Sequence, residues 1–144
     1  MKIFFDMDGT IANLYGVENW LPMLRAENAK PYEIAKPLVN LSRLARRLNT
    51  LQRKGIEIGI ISWGSKVASA EYDKAVEKAK IDWLATHLAS VTFDEIHVVK
   101  YGTPKSNFAT SANDILFDDE EPNRTAWSGK AYSENEIFEI LASL

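Results

Sequence analysis

Asp6 and Asp8 stand two residues apart directly behind the apolar run Ile3–Phe5, and Gly9-Thr10 follow them. In an extended strand, residues i and i+2 point to the same side. Both carboxylates therefore leave the end of a strand together, and Gly9 permits a tight turn just beyond. Two neighbouring carboxylates repel each other unless a proton or a cation lies with them. A hard divalent cation with oxygen ligands is the natural neutraliser, and Mg2+ is the usual one beside phosphate. A second acidic pair, Asp118-Asp119, follows the apolar stretch Ile115–Phe117 and repeats this logic. Taken alone, each pair also fits a plainer reading, as a turn or as the acidic first turn of a helix.

Two single residues between these pairs suit the same chemistry. Ser62 closes the apolar segment Ile56–Ile61, where its hydroxyl could donate to a phosphoryl oxygen. Trp63-Gly64-Ser65 then leads into a helix N-terminus, whose free N–H groups attract anions. Lys105 follows Thr103-Pro104, which reads as an N-cap and first helical position. A cation in a first turn opposes the helix dipole, so Lys105 calls for a specific anionic partner. Lys100, at the end of the preceding strand, competes for that role.

The elements that must position these groups are readable from periodicity. Leu41, Leu44, Ala45, Leu48 and Leu51 recur at helical spacing within an expected helix over 38–54, and Gly55 stops it. Strands are expected at 56–62, 95–99, 114–117 and 129–132. Helices are expected over 66–80, onward from Asp82, over 123–127 and over 133–144, the last with a Ser133/Glu136 capping box. Strand, helix, strand in this order makes βαβ units and a parallel sheet. Ligands of such sheets gather at the carboxyl ends of the strands, so Asp6 and Ser62 converge on one crevice. Residues 13–37 are apolar and aromatic but broken by Gly16, Pro22, Pro31 and Pro37, with a helix expected from Trp20. Tyr15, Trp20 and Tyr32 there either face a ligand or pack on the core.

The chain has 144 residues, 46% apolar and 26% charged, with a net charge of −3. That size suggests one domain with a single core. The charge is too balanced to argue for nucleic acid or an anionic membrane as partner. The sequence has 0 Cys, which excludes a disulfide, a thiol nucleophile and Cys-ligated zinc. No apolar run reaches spanning length and the N-terminal run is too short for a signal peptide, so a cytoplasmic setting is expected.

The string Asp6-Met7-Asp8-Gly9-Thr10 closely resembles the first motif of the haloacid dehalogenase superfamily of phosphatases and phosphotransferases. Ser62 stands where that family places its second motif, and Lys105 where it places its third. Asp118-Asp119 resembles its fourth motif in the Asp-Asp form of the nucleotidase-like branches. The resemblance implies a Rossmannoid three-layer α/β domain over 1–144, with a central parallel sheet of about five strands. It also implies a small cap or flap insertion at 13–37. It implies that Asp6 attacks phosphorus and that Asp8 serves as acid and base, with Lys105 stabilising the phosphorylated state. Ser62, Trp63 and Lys105 would surround the phosphate. Mg2+ would be held by Asp6, the main-chain carbonyl of Asp8 and Asp119, with Asp118 acting through water; which of Asp118 and Asp119 binds directly stays open. The implied activity is Mg2+-dependent hydrolysis of a phosphorylated small molecule through an aspartyl-phosphate, with nucleotides among the candidate substrates. Two other classes use parts of this pattern. One is a non-catalytic regulator that binds Mg2+ and phosphate or accepts a phosphoryl group. The other is a metal-dependent glycosyltransferase.

Overall fold

The computed structural model describes residues 1–144, and the chain forms a five-stranded parallel sheet covered on both faces. Strands β1 (Lys2–Phe5), β4 (Glu57–Trp63), β5 (Glu95–Val99), β6 (Ile115–Phe117) and β7 (Lys130–Tyr132) lie in the order β5-β4-β1-β6-β7. Two further strands, β2 (Ala12–Asn13) and β3 (Lys36–Pro37), form a separate antiparallel ribbon. The chain builds outward from β1 to β4 and β5, then crosses back to lay β6 and β7 on the other side. The order reverses between β1 and β6, which is where an open α/β sheet has its ligand crevice.

Alternation of side chains sorts the strands between two faces. Ile3 and Phe5 of β1 share one cluster with Ile58, Ile60, Ile115 and Phe117. Phe4 points the other way and joins Ile61, Leu116 and Trp127. The first face is covered by α3 (Leu41–Arg53), α4 (Ala70–His87) and α6 (Ile137–Ala142). Leu44, Leu48 and Leu51 of α3 are buried there, each contributing about 1.5–3 kcal/mol by removal from water. The second face carries a thinner layer, the 3-10 turn Lys105–Phe108, α5 (Glu121–Ala126) and Trp127.

Several boundaries differ from the periodicity reading, each for a local reason. Helix α3 begins at Leu41 rather than 38 because the Asn40 side chain accepts from the Arg43 N–H and caps it. The expected helices over 66–80 and from Asp82 are one helix, α4. Ser69 caps its start by accepting from the Tyr72 N–H, and Asp82 pairs with Lys78 at (i, i+4) instead of opening a new helix. The segment after Pro104 is a 3-10 turn, and the Thr103 hydroxyl donates to the Lys100 carbonyl instead of capping it. The capping box of Ser133 and Glu136 is present but opens a 3-10 turn that passes into α6.

The excursion between β2 and β3 holds α1 (Trp20–Arg25) and α2 (Lys30–Ile34). The ribbon ties its two ends together, and α4 holds its body. Leu14 and Tyr32 pack on Tyr72, Val76 and Ala79 of α4. The Tyr72 hydroxyl donates to Asn28 O at 3.0 Å, and Trp83 Nε1 donates to Ala35 O at 2.8 Å. No helix of the chain is long and apolar enough to cross a membrane.

At the other end of the sheet, buried Asp114 fastens the start of β1 to the turn before β6. It accepts from the N–H groups of Lys2, Thr110 and Ser111 and from the Thr110 hydroxyl. Burial raises its pKa, but these four donors outweigh that and hold the carboxyl below its ordinary value. A depressed folded-state pKa contributes stability above the unfolded value and loses it as pH falls through the folded one. Asp114→Asn is therefore expected to cost about 1–3 kcal/mol at neutral pH. The gap to the wild type should close as pH falls below about 4. Urea unfolding at pH 7 and pH 3 tests this, and a gap that does not change with pH would refute the assignment.

Candidate active site

The ends of β1 and β6 bring the two acidic pairs together. The Asp6 N–H donates to Phe117 O at 2.9 Å, so Asp6 continues the ladder that places Asp118 beside it. Lys105 Nζ lies between them, donating to Asp6 Oδ1 at 2.9 Å and to Asp118 Oδ2 at 2.7 Å. All three are buried. Burial alone would lower the Lys105 pKa, but the charges of Asp6 and Asp118 outweigh it and hold the ammonium above its ordinary value. Lys100 is exposed and is not brought to the cluster.

Thr10 joins the two pairs from below. Its Oγ1 lies 3.2 Å from both Asp6 Oδ2 and Asp119 Oδ1 and accepts from the Asp119 N–H. Gly9 adopts φ +80°, a conformation side chains disfavour, and a Cβ there would collide with the Asp119 carboxylate. The glycine is thus needed for the turn and for the close approach of Asp119.

On the other side of Asp6, the buried ammonium of Lys80 organises Asp8. Lys80 Nζ donates to Asp8 Oδ2 at 2.8 Å, Ser62 Oγ at 2.6 Å and Trp63 O at 2.6 Å. Three acceptors use all three of its protons. Because Ser62 accepts from Lys80, its own hydroxyl proton remains free to donate elsewhere. Burial raises the Asp8 pKa, Lys80 pulls it back without cancelling the rise, and the Asp6 charge adds to it. Trp63 stands with its ring 5.4 Å from Lys105 Nζ and donates Nε1 to Thr103 O at 2.8 Å.

Sequence reasoning missed Lys80 and gave Thr10 no role. Thr10 belongs to the string already singled out. The signal for Lys80 was its spacing: Tyr72, Val76, Lys80 and Trp83 recur at steps of four, four and three, so the lysine falls on the buried stripe of α4.

Asp6, Asp118 and Asp119 offer carboxylate oxygens that all lie within 4.8 Å of one another. Burial and the neighbouring Asp6 push the Asp119 carboxyl up to about 8, and the same causes raise Asp118 against the pull of Lys105. Such shifts mark negative charge without enough compensation. Oxygen donors carrying excess negative charge fit a hard divalent cation. Asp118 already accepts from Lys105, the Glu120 N–H and Asn123 Nδ2, whereas the Asp119 carboxylate has only the shared Thr10 hydroxyl. Asp119 is thus the freer ligand. A cavity of about 390 Å3 opens over Asp6, Asp8 and Lys105, between the α1–α2 excursion and the loops after β4 and β5.

No family model and no curated sequence matches the chain. Among solved structures, the D,D-heptose 1,7-bisphosphate phosphatase from Burkholderia thailandensis aligns with a TM-score of 0.53 at 15% identity. That alignment covers 87% of this chain and 70% of that one. A chain of the Pnkp1/Rnl/Hen1 complex aligns with the same TM-score of 0.53 at 15% identity, over 92% of this chain and 44% of that one. These likenesses establish the fold alone, an α/β architecture with a central parallel sheet.

The raised pKa of Asp119 has a consequence for stability. Without a divalent cation, the folded protein keeps a proton that the unfolded chain loses near pH 4. This group's contribution to stability therefore falls as pH rises from about 4 through about 8. Mg2+ is expected to raise the Tm of the wild type at pH 8, and Asp119→Asn is expected to flatten the decline with pH and to reduce that rise. Thermal melts in EDTA and in Mg2+ at pH 5 and pH 8 read both effects. An unchanged Mg2+ response in the variant would remove Asp119 from the ligand set.

Proposed function

We propose that the chain is a Mg2+-dependent phosphate monoester hydrolase that works through an aspartyl-phosphate, on small phosphorylated compounds with nucleotides among them. The observation that carries this reading is the pairing at the sheet end. Asp6 is held by Lys105 on one side, and Asp8 is held by a second lysine, Lys80, on the other. A nucleophile and an acid/base group two residues apart each have their own positioning cation.

In the first step an Asp6 carboxylate oxygen attacks phosphorus, and the bond from phosphorus to the ester oxygen breaks. Asp8 gives its proton to that leaving oxygen, and its raised pKa suits it to hold the proton until then. In the second step water attacks phosphorus and gives a proton to the Asp8 carboxylate. The bond from phosphorus to Asp6 breaks, and inorganic phosphate leaves with Asp6 regenerated. Lys105 stabilises charge on the transferring group, while Ser62 is fully buried behind the cavity lining and acts here through its bond to Lys80. Trp63 walls the phosphate site.

Mg2+ would be held by Asp6, Asp119 and the main-chain carbonyl of Asp8, with Asp118 through water, and would neutralise charge on the phosphoryl oxygens. Residues 13–37 serve as a small flap over this site.

The test is phosphate release from p-nitrophenyl phosphate and a panel of nucleoside and sugar monophosphates, in Mg2+ or EDTA. Asp6→Asn is expected to lower turnover by about 10^4-fold or more. Lys105→Met should lower it by about 10^2 to 10^3-fold. Release that persists in Asp6→Asn would overturn the nucleophile assignment. Binding of Mg2+ and phosphate without release from any substrate would favour a non-catalytic module instead.

A further inference from the structure

We propose that the cavity over Asp6 and Asp8 contains a subsite for a planar ring in the leaving group, and that its occupant is the base of a nucleoside monophosphate. The proposal rests on the hydrolase reading above and identifies the part of the chain that reads the substrate.

The first observation is a pair of aromatic walls. Tyr15 and Trp20, on the excursion after β2, meet edge to face with centroids 5.0 Å apart. Trp63, the last residue of β4, and Tyr101, on the loop after β5, lie 4.9 Å apart at a tilt of 59°. All four line the same cavity as Asp6 and Asp8. Tyr15 and Tyr101 are 48% and 46% exposed, which is high for rings that only complete a core.

The second observation is that folding does not account for Trp20. Helix α1 has no buried residue, yet it presents Trp20 and Leu21 to the cavity. Trp63, Trp83 and Trp127 each donate the indole N–H to a main-chain carbonyl. Trp20 makes no hydrogen bond through its indole N–H. An aromatic face with an unused donor beside it suits a flat heterocycle with acceptor atoms on its edge.

The third observation is size. At about 390 Å3 the cavity falls within the range of small-molecule sites. It continues past the carboxylates to the aromatic pairs, so a ring there belongs to a group joined to the phosphate by a spacer, as ribose joins a base. Stacking of a base on an aromatic side chain changes affinity by roughly ten- to a hundredfold.

The experiment has a binding arm and a turnover arm. The first measures binding of adenosine 5′-monophosphate and of ribose 5-phosphate to the Asp6→Asn protein by calorimetry, in Mg2+. The two ligands share the phosphate and sugar and differ by the base. The nucleotide is expected to bind at least tenfold tighter. Trp20→Ala and Tyr101→Ala, each combined with Asp6→Asn, should shrink that ratio, while Trp20→Phe should keep most of it. Equal affinities overturn the subsite, as does a preference that survives both alanine substitutions. The turnover arm compares kcat/KM for the same two compounds in the unsubstituted protein. Phosphate release with no preference for the nucleotide defeats the subsite alone. A binding preference without release from any phosphomonoester leaves the subsite standing and defeats only the hydrolase reading.

Discussion

Charge balance at the end of the sheet is the constraint on which the rest of the site depends. Four carboxylates, Asp6, Asp8, Asp118 and Asp119, meet two ammonium groups, Lys80 and Lys105. With every group ionised, the sum −4 + 2 leaves −2, the complement of one divalent cation. Without that cation some carboxyl groups must hold protons, and the raised pKa values of Asp8, Asp118 and Asp119 express this. Each lysine is placed by the fold rather than by the substrate. Lys105 arrives from the 3-10 turn after β5, and Lys80 from the middle of α4. A buried ammonium is costly unless it is fully paired, and both find carboxylate and hydrogen-bond partners here.

The strand order makes this convergence possible. Because β1 and β6 are parallel neighbours and the winding of the sheet reverses between them, both strands end at the same crevice, and a short carboxylate on each suffices to reach it. Helix α4 then does two jobs along its length. Its earlier turns pack Tyr72, Val76 and Ala79 against the excursion between β2 and β3, and its last turns pack Trp83 and Leu84 into the main core. Lys80 lies at the junction, contacts Asp8 and Ser62, and has Nζ 5.0 Å from the centroid of the Tyr32 ring. The position of the excursion between β2 and β3 and the position of Asp8 are therefore set by one helix.

Much of this was legible in the sequence because its signals are local. Ile3–Phe5 followed by Asp-x-Asp, and Ile115–Phe117 followed by Asp-Asp, are strand ends whose next residues the pleat must aim together. Lys105 was legible through its odd place at the start of a turn. Lys80 was missed, because a lysine in a helix is ordinarily read as a solvated residue, and its place on the stripe of Tyr72, Val76 and Trp83 was the one local sign of burial. The ribbon of β2 and β3 was also hidden, since two-residue strands carry no periodicity. The join of the two expected helices into α4 depended on whether Asp82 caps a helix or pairs within one, a choice that composition does not decide.

The division between the two lysines bears on how one sheet end could run both halves of a hydrolysis. A group that must give a proton and then take one back needs its two forms close in free energy, whereas a nucleophile needs only the anion. Lys105 sits 2.9 Å from Asp6 Oδ1 and gives that carboxylate a fixed positive neighbour. Lys80 gives Asp8 a positive neighbour too, but it divides its three protons among Asp8, Ser62 and the Trp63 carbonyl, and the Asp8 pKa stays above its ordinary value. The same ammonium that steadies Asp8 also donates to Ser62 Oγ, which leaves the hydroxyl proton of Ser62 uncommitted. Replacing Lys80 by an uncharged residue would therefore disturb Asp8, Ser62 and the seat of Tyr32 together, although Lys80 itself has no proton left to donate.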